Sequence, residues 1–289
     1  MPETLQGGFR LAYVKNLHHD EIRDDILVKA NKKKVWNRQL EMWVAFDEIC
    51  RRHAIEYHIN YGTLLGAIRH KGFVPWDDDI DVSMMRPEFN RFAEIVNDEL
   101  DGELFVAQDL GFDTIKIFHK QTTMLFGHDF GRDKPSGIIF DVFALDILED
   151  GTPESSRALA TLKKAAASPD ADDNIKNLRR FAQELFDLSR AVEWFNDTLN
   201  HKYKTPFRKE WFDETIYLPF ETVTMPAPKM FDEVLTSYYG DWRTPVRDGQ
   251  PRLGFVHSTD IPYEEFWQRA DVNELLRKNI RGGLDNWLS

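Results

Sequence analysis

The sequence carries a single cysteine, Cys50, in 289 residues, which excludes an internal disulfide and fits a reducing compartment. It lacks any run of about 18 or more apolar residues, so no segment is expected to span a bilayer. The start, Met1 to Arg10, holds Pro2, Glu3 and two glycines in place of an apolar stretch, so no secretory signal is expected. Positive charge is also short: 37 Lys and Arg against 49 Asp and Glu give a formal net charge of −12. A polyanion would be repelled overall, which argues against a nucleic-acid partner unless a separate basic face exists. Internal repeats and low-complexity segments are absent. These absences lead to a cytoplasmic protein, free to meet a lipid-linked substrate at the inner membrane face. What is present is ordinary for a globular chain, 42% hydrophobic and 30% charged, and this length buries roughly three quarters of the unfolded surface without staples.

Periodicity supplies the elements. From Ala30 to His53, apolar residues recur at Val35, Trp36, Leu40, Trp43, Val44 and Ile49, one face of a helix. Lys32, Lys33 and Lys34 near its start read as a solvated face, with anionic lipid contact as the alternative. Asn174 to Lys202 repeats the helical pattern through Leu178, Phe181, Leu185, Leu188, Val192 and Phe195, after the polar break Ser168-Pro-Asp-Ala-Asp-Asp173. Between these tracts the reading is a strand at Glu56–Asn60, a short helix at Thr63–His70, a strand at Asp79–Met84 and a helix at Pro87–Leu100. Strands follow at 104–108, 114–119, 122–126 and 138–144. Further on come a strand at Thr215–Leu218 and a helix at Pro228–Tyr239. The class is α+β, or mixed α/β. Four segments are expected: an N-terminal extension over 1–29, a catalytic core over 30–150, a helical insertion over 151–210 and a C-terminal part over 211–289 that completes the core.

The run Trp76-Asp-Asp-Asp-Ile-Asp81 carries the chemistry. Four carboxylates in five positions repel one another and need compensation, from water in an acidic loop or from a cation. The apolar flanks Phe73, Val74, Pro75, Ile80, Val82 and Met84 point to partial burial and hence to a cation. On a strand, Asp79 and Asp81 share one face while Ile80 and Val82 share the other. Two such carboxylates suit a hard divalent cation, Mg²⁺, with Mn²⁺ as the alternative. Upstream, Gly62-Thr63 sits between a strand and a helix, where free N–H groups and a helix dipole suit a phosphate. Arg69 is a candidate for diphosphate binding, with an ion pair to Asp77 or Asp78 as the other reading. Trp76 is a candidate stacking face for a base or an ammonium group, with core packing as the other reading.

The stretch Tyr61-Gly-Thr-Leu-Leu-Gly-Ala-Ile-Arg-His70, followed by Lys71-Gly-Phe-Val-Pro-Trp-Asp-Asp-Asp-Ile-Asp81, resembles the signature of the LicD/fukutin family, which has a nucleotidyltransferase-like fold. It departs from the family pattern at Tyr61, where a glycine or aspartate is common. Weaker likenesses lie at Lys116-Ile117 with Thr122-Thr123, at Gly137-Ile-Ile-Phe-Asp-Val-Phe-Ala-Leu-Asp146, and at Tyr239-Gly-Asp-Trp242. The resemblance implies Asp79 and Asp81 as metal ligands, Asp141 as the third carboxylate of the triad, and Lys116 as a phosphate or nucleotide contact. It also implies transfer of a phospho-alcohol, such as phosphocholine, from a CDP-activated donor to a sugar hydroxyl of lipopolysaccharide or teichoic acid. Nucleotidyl transfer from an NTP and a non-catalytic glycan-binding role stand as the other readings. His18 and His19 are expected in an exposed loop and Cys50 in the core. His53 and His58 lack a second ligand at metal spacing. Trp194, Trp211, Trp242 and Trp267 are expected to anchor packing.

Overall fold

The structure is a computed structural model. It describes residues 12–125, 137–147, 174–188, 194–197, 206–245 and 256–268, with isolated positions between 157 and 168.

The chain opens with a hairpin of β1 (Glu21–Arg23) and β2 (Ile26–Val28). Its two-residue loop, Asp24-Asp25, takes φ of 51° and 61°, the left-handed pair that Asp tolerates and a tight hairpin requires. Then come α1 (Ala30–Arg52), β3 (His58–Ile59), α2 (Tyr61–Arg69), β4 (Asp81–Met85) and α3 (Arg86–Glu99). The strands β5 (Phe105–Asp109), β6 (Thr114–His119), β7 (Thr123–Leu125) and β8 (Ile138–Ile147) follow. Next are α4 (Ile175–Leu188), β9 (Trp194–Asp197), β10 (Pro206–Arg208), β11 (Thr215–Phe220) and β12 (Val223–Pro228). The described chain closes with α5 (Phe231–Tyr239), β13 (Val256–Ser258) and α6 (Tyr263–Gln268).

A seven-stranded mixed sheet with order β10-β9-β8-β4-β3 organises these elements, the hairpin β5-β6 joining it through β6. Strand β8 is its axis. It pairs in parallel with β4 over 141–145 on one edge. On the other edge β6 takes residues 138–143 and β9 takes 145–147, both antiparallel. A strand so enclosed must be apolar on both faces. Ile138, Ile139, Phe140, Val142, Ala144 and Leu145 are accordingly buried, and Asp141 and Asp146 are the exceptions. Helix α1 covers one face: Trp36, Leu40, Trp43 and Phe46 are fully buried. The Phe46 ring lies 4.8 Å from Phe140 and 5.1 Å from Phe92.

Two readings are corrected. The helix expected over 174–202 stops at Leu188, and Trp194–Asp197 is a strand on the edge of β8. Val192 and Phe195 continue a helical period, but a short aromatic segment beside an open strand edge gains more from pairing than from propensity. Lys33 is not on a solvated face: it is fully buried. Its Nζ donates to the carbonyls of Asn16 (3.1 Å) and His19 (2.9 Å) and pairs with Glu21 at 2.7 Å. The exposed neighbour Lys34 fits the expectation, as do the exposed His18 and His19 and the buried Cys50, whose thiol pKa burial pushes up. Trp242 is buried, with its indole N–H on Asp232 at 2.8 Å, and Trp211 packs against the core. The side chains of Trp194 and Trp267 lie outside the described residues.

Candidate active site

The acidic run sits where β4 begins. Strand pairing starts at Asp81, later than the expected Asp79, so Asp79 lies in the loop just ahead of it. Both side chains are nevertheless buried, as is Asp141. Register explains the third carboxylate: Asp81 on β4 lies directly opposite Asp141 on β8, and Asp141 lies directly opposite Lys116 on β6. Cross-strand neighbours share a face, so three strands place Asp81, Asp141 and Lys116 in one row across the sheet. One carboxylate oxygen from each of Asp79, Asp81 and Asp141 falls within 4.8 Å of the others, and Lys116 Nζ is 3.4 Å from Asp141. Ile80 and Val82 point into the core and are fully buried. The Ile80 carbonyl accepts the Asp141 N–H at 3.0 Å, which locks the start of β4 to the axis of the sheet.

Three carboxylates beside one lysine carry a formal charge of −2. Each close pair costs kcal/mol at the reduced dielectric of a buried site. An all-oxygen donor set with that residual charge fits a hard divalent cation better than a proton or a second lysine.

The neighbouring residues hold this arrangement. A Cβ on Gly62 would lie 1.9 Å from Asp77 Oδ2, so glycine here makes room for a carboxylate packed on the first turn of α2. Thr63 is buried, and its Oγ1 accepts the Asp81 N–H at 2.9 Å; it faces the strand backbone and fixes the start of β4. Trp36 Nε1 donates to the Asp77 carbonyl at 2.9 Å, and Gln39 donates to the Asp78 carbonyl. Trp36 and Gln39 are site-positioning residues that the sequence reading missed. Gln39, a polar residue in the buried stripe of α1, is the signal that would have revealed them.

Arg69 and Trp76 meet each other and the N-terminal hairpin. The Arg69 guanidinium is 3.7 Å from Asp24 at the tip of the N-terminal hairpin and 5.9 Å from the Trp76 ring centroid. His70 Nδ1 also approaches Asp24, at 3.5 Å, and burial lowers its pKa to about 4. Half-buried Trp76 lines a cleft of about 320 Å³ with Asp24, Asp25 and Pro245.

Two buried polar groups brace the frame, and sequence gave little sign of either. Glu221, between β11 and β12, accepts from Arg23 (3.0 Å) and from the Lys15 N–H (3.1 Å) and approaches Gly72. Arg86, at the junction of β4 and α3, is fully buried and pairs with Asp146 near the end of β8, Nε to Oδ1 at 2.6 Å. His58 is buried, with Nε2 2.8 Å from Thr215 Oγ1; desolvation lowers its pKa to about 4. That polar partner accounts for it without a metal.

Two carboxylates and a lysine on adjacent strands, with a third carboxylate from the loop ahead of β4, make a metal-binding type of catalytic centre on a mixed sheet. Residues 54–143 match the family described as LicD/FKTN/FKRP, nucleotidyltransferase domain. The chain is 30% identical over 246 residues to the lipopolysaccharide cholinephosphotransferase LicD of Haemophilus influenzae, covering 71% of this chain and 89% of that protein. A 49-residue stretch is 43% identical to an uncharacterised protein of Rickettsia typhi, 17% of this chain and 16% of that one. The chain belongs to the LicD family and is a LicD-type phosphotransferase.

Proposed function

We propose that this enzyme transfers phosphocholine from CDP-choline to a sugar hydroxyl of lipopolysaccharide. The observation that carries the reading is the convergence of Asp79, Asp81 and Asp141 within 4.8 Å, with Lys116 at 3.4 Å from Asp141. The Haemophilus relative, a lipopolysaccharide cholinephosphotransferase, supports the alcohol and the acceptor. Teichoic acid is the alternative acceptor, and the reaction is placed at the cytoplasmic side of the membrane. No described helix is long and apolar enough to cross a bilayer, so the chain would meet a lipid-linked acceptor peripherally.

In this reading the acceptor oxygen attacks the phosphorus that bears choline, its bond to the bridging oxygen breaks, and CMP leaves. The hydroxyl proton passes to Asp141, which already faces Lys116 across the strand pair. Asp79, Asp81 and Asp141 would hold Mg²⁺, or Mn²⁺ in its place. When bound, the ion neutralises charge on the diphosphate and the leaving oxygen. Lys116 supplies a second positive charge to the same oxygens. Thr63, Gln39 and Trp36 keep the start of β4 and its preceding loop in register, so that the carboxylates converge before substrate arrives.

Incubation with CDP-choline and lipopolysaccharide, and separately with CTP, tests this. CMP from the first and no pyrophosphate from the second is expected. Pyrophosphate from CTP with no CMP from CDP-choline would establish nucleotidyl transfer. Neither product, with no thermal stabilisation by either nucleotide, would leave a glycan-binding protein.

A further inference from the structure

Beside the triad stands a cluster of aromatic rings that the transfer chemistry does not use. Phe143 lies two residues beyond Asp141 on β8, so both side chains leave the same face of the strand. Tyr61 directly precedes Gly62. Its ring lies 5.3 Å from Phe143, nearly perpendicular, and 4.6 Å from Tyr238 of α5. All three rings are half-buried, in contrast to the fully buried core aromatics. They are also held in place. Asn60 Nδ2 donates to the Tyr238 hydroxyl at 2.9 Å and to Ser83 Oγ at 2.5 Å, and Ser83 lies opposite Phe143 in the sheet.

Tyr61 adds an independent observation. Its φ is 41°, a left-handed conformation that glycine adopts freely and a bulky residue only under strain. Placing a tyrosine there costs stability. Strain of this kind persists where the side chain has a task. The task fits the geometry: the ring joins Phe143 and Tyr238 into one wall.

We infer that Tyr61, Phe143 and Tyr238 form the subsite for the trimethylammonium group of the donor. The inference rests on the phosphocholine reading and adds to it the residues that select the alcohol. Residues two apart on a strand are separated by roughly 6.6 Å. Phosphorus and nitrogen in phosphocholine are joined by four single bonds, a reach of about 5 Å. With phosphorus over the carboxylates, that reach spans most of the step from Asp141 to Phe143, and a ring face attracts a cation within roughly 6 Å of its centre. Methylated ammonium suits such a wall, because it has no N–H to satisfy and little hydration to lose. A primary ammonium does not.

The test compares CDP-choline with CDP-ethanolamine in wild type, Phe143→Leu and Tyr61→Gly. Tyr61→Gly removes a ring while relieving the backbone strain, so it is expected to fold with undiminished melting temperature. In both variants the kcat/KM ratio of choline over ethanolamine donor should fall about tenfold, carried by KM for CDP-choline. Inhibition by CMP should not change. An unchanged ratio overturns the inference. So does an equal loss for both donors and CMP, which would mark the rings as a base-stacking surface, or a ratio that collapses in Trp76→Leu and in neither ring variant. Absence of CMP release from either donor by the wild type would instead sink the transfer reading on which the subsite depends.

Discussion

Removing one charge from the triad should stabilise the metal-free protein. Asp81 has two carboxylate neighbours, Asp79 and Asp141, with oxygens within 4.8 Å. At that separation and an effective dielectric of about 20, each like-charged pair is unfavourable by about 3 kcal/mol. Asp81→Asn deletes two such pairs while keeping the shape. The two pairs sum to about 6 kcal/mol; the variant also forfeits the attraction of the Asp81 charge to Lys116, which sits beside Asp141, and solvent relaxation screens both pairs, so the net gain is roughly 2 kcal/mol. For a chain this long that corresponds to a rise in melting temperature of about 4–8 °C in chelator. The mirror image appears with metal. Millimolar Mg²⁺ or Mn²⁺ should raise the wild-type melting temperature and leave Asp81→Asn unmoved, because a site that has lost a ligand no longer couples binding to folding. Thermal denaturation of both proteins, with chelator and with metal, reads the four values. A variant less stable than wild type in chelator, with an undiminished response to metal, would refute the reasoning, since the carboxylates would then be neither repelling one another nor sharing an ion.

Other predictions address the supporting frame. Gly62→Ala puts a methyl 1.9 Å from Asp77 Oδ2; displacing that carboxylate should cost about 1–3 kcal/mol by chemical denaturation and lower turnover at the same time. Thr63→Val leaves the Asp81 N–H without its acceptor, so a loss of about 1–3 kcal/mol is expected, with Thr63→Ser close to wild type. Arg86→Met strands Asp146 in the core and should destabilise by about 3–5 kcal/mol, whereas replacing both partners by apolar residues should recover much of that. His58, its pKa lowered from 6.5 to about 4 by burial, stays neutral when folded while the unfolded chain takes up a proton below pH 6.5. Stability should therefore fall as pH drops from 6.5 towards 4 and lose nothing further to this group below that. His58→Gln should show a shallower decline over that window in pH-dependent urea melts.

The part of the site that could be read in advance is the part written in consecutive residues. Asp79 and Asp81 lie in one short stretch whose apolar spacing betrayed burial; Gly62 and Thr63 stand out in it too, but their contacts with Asp77 and with the Asp81 N–H are not written there. Asp141 and Lys116 were reachable only by resemblance, because what joins them to Asp81 is strand register, and register is set by which edges meet. The same limit hid the aromatic wall, whose members lie at 61, 143 and 238. Helix periods gave α1 and α3 nearly to the residue. They failed at β9, where an open edge of β8 outweighed local preference, and at Lys33, whose burial depends on the carbonyls of a loop that no period reveals. Arg69 shows the same limit from the other side: its contact with Asp24 of the hairpin, at 3.7 Å, joins segments 45 residues apart that no local pattern connects.

The mass of lipopolysaccharide after incubation with CDP-choline and the purified enzyme decides whether the carboxylate triad performs the transfer. A gain of one phosphocholine unit is predicted in Mg²⁺ or Mn²⁺, abolished by chelator, restored by adding the metal back, and lost in Asp141→Asn. Acceptor modified equally well in chelator, or by Asp141→Asn at the wild-type rate, would contradict the claim that these three carboxylates and their cation perform the transfer.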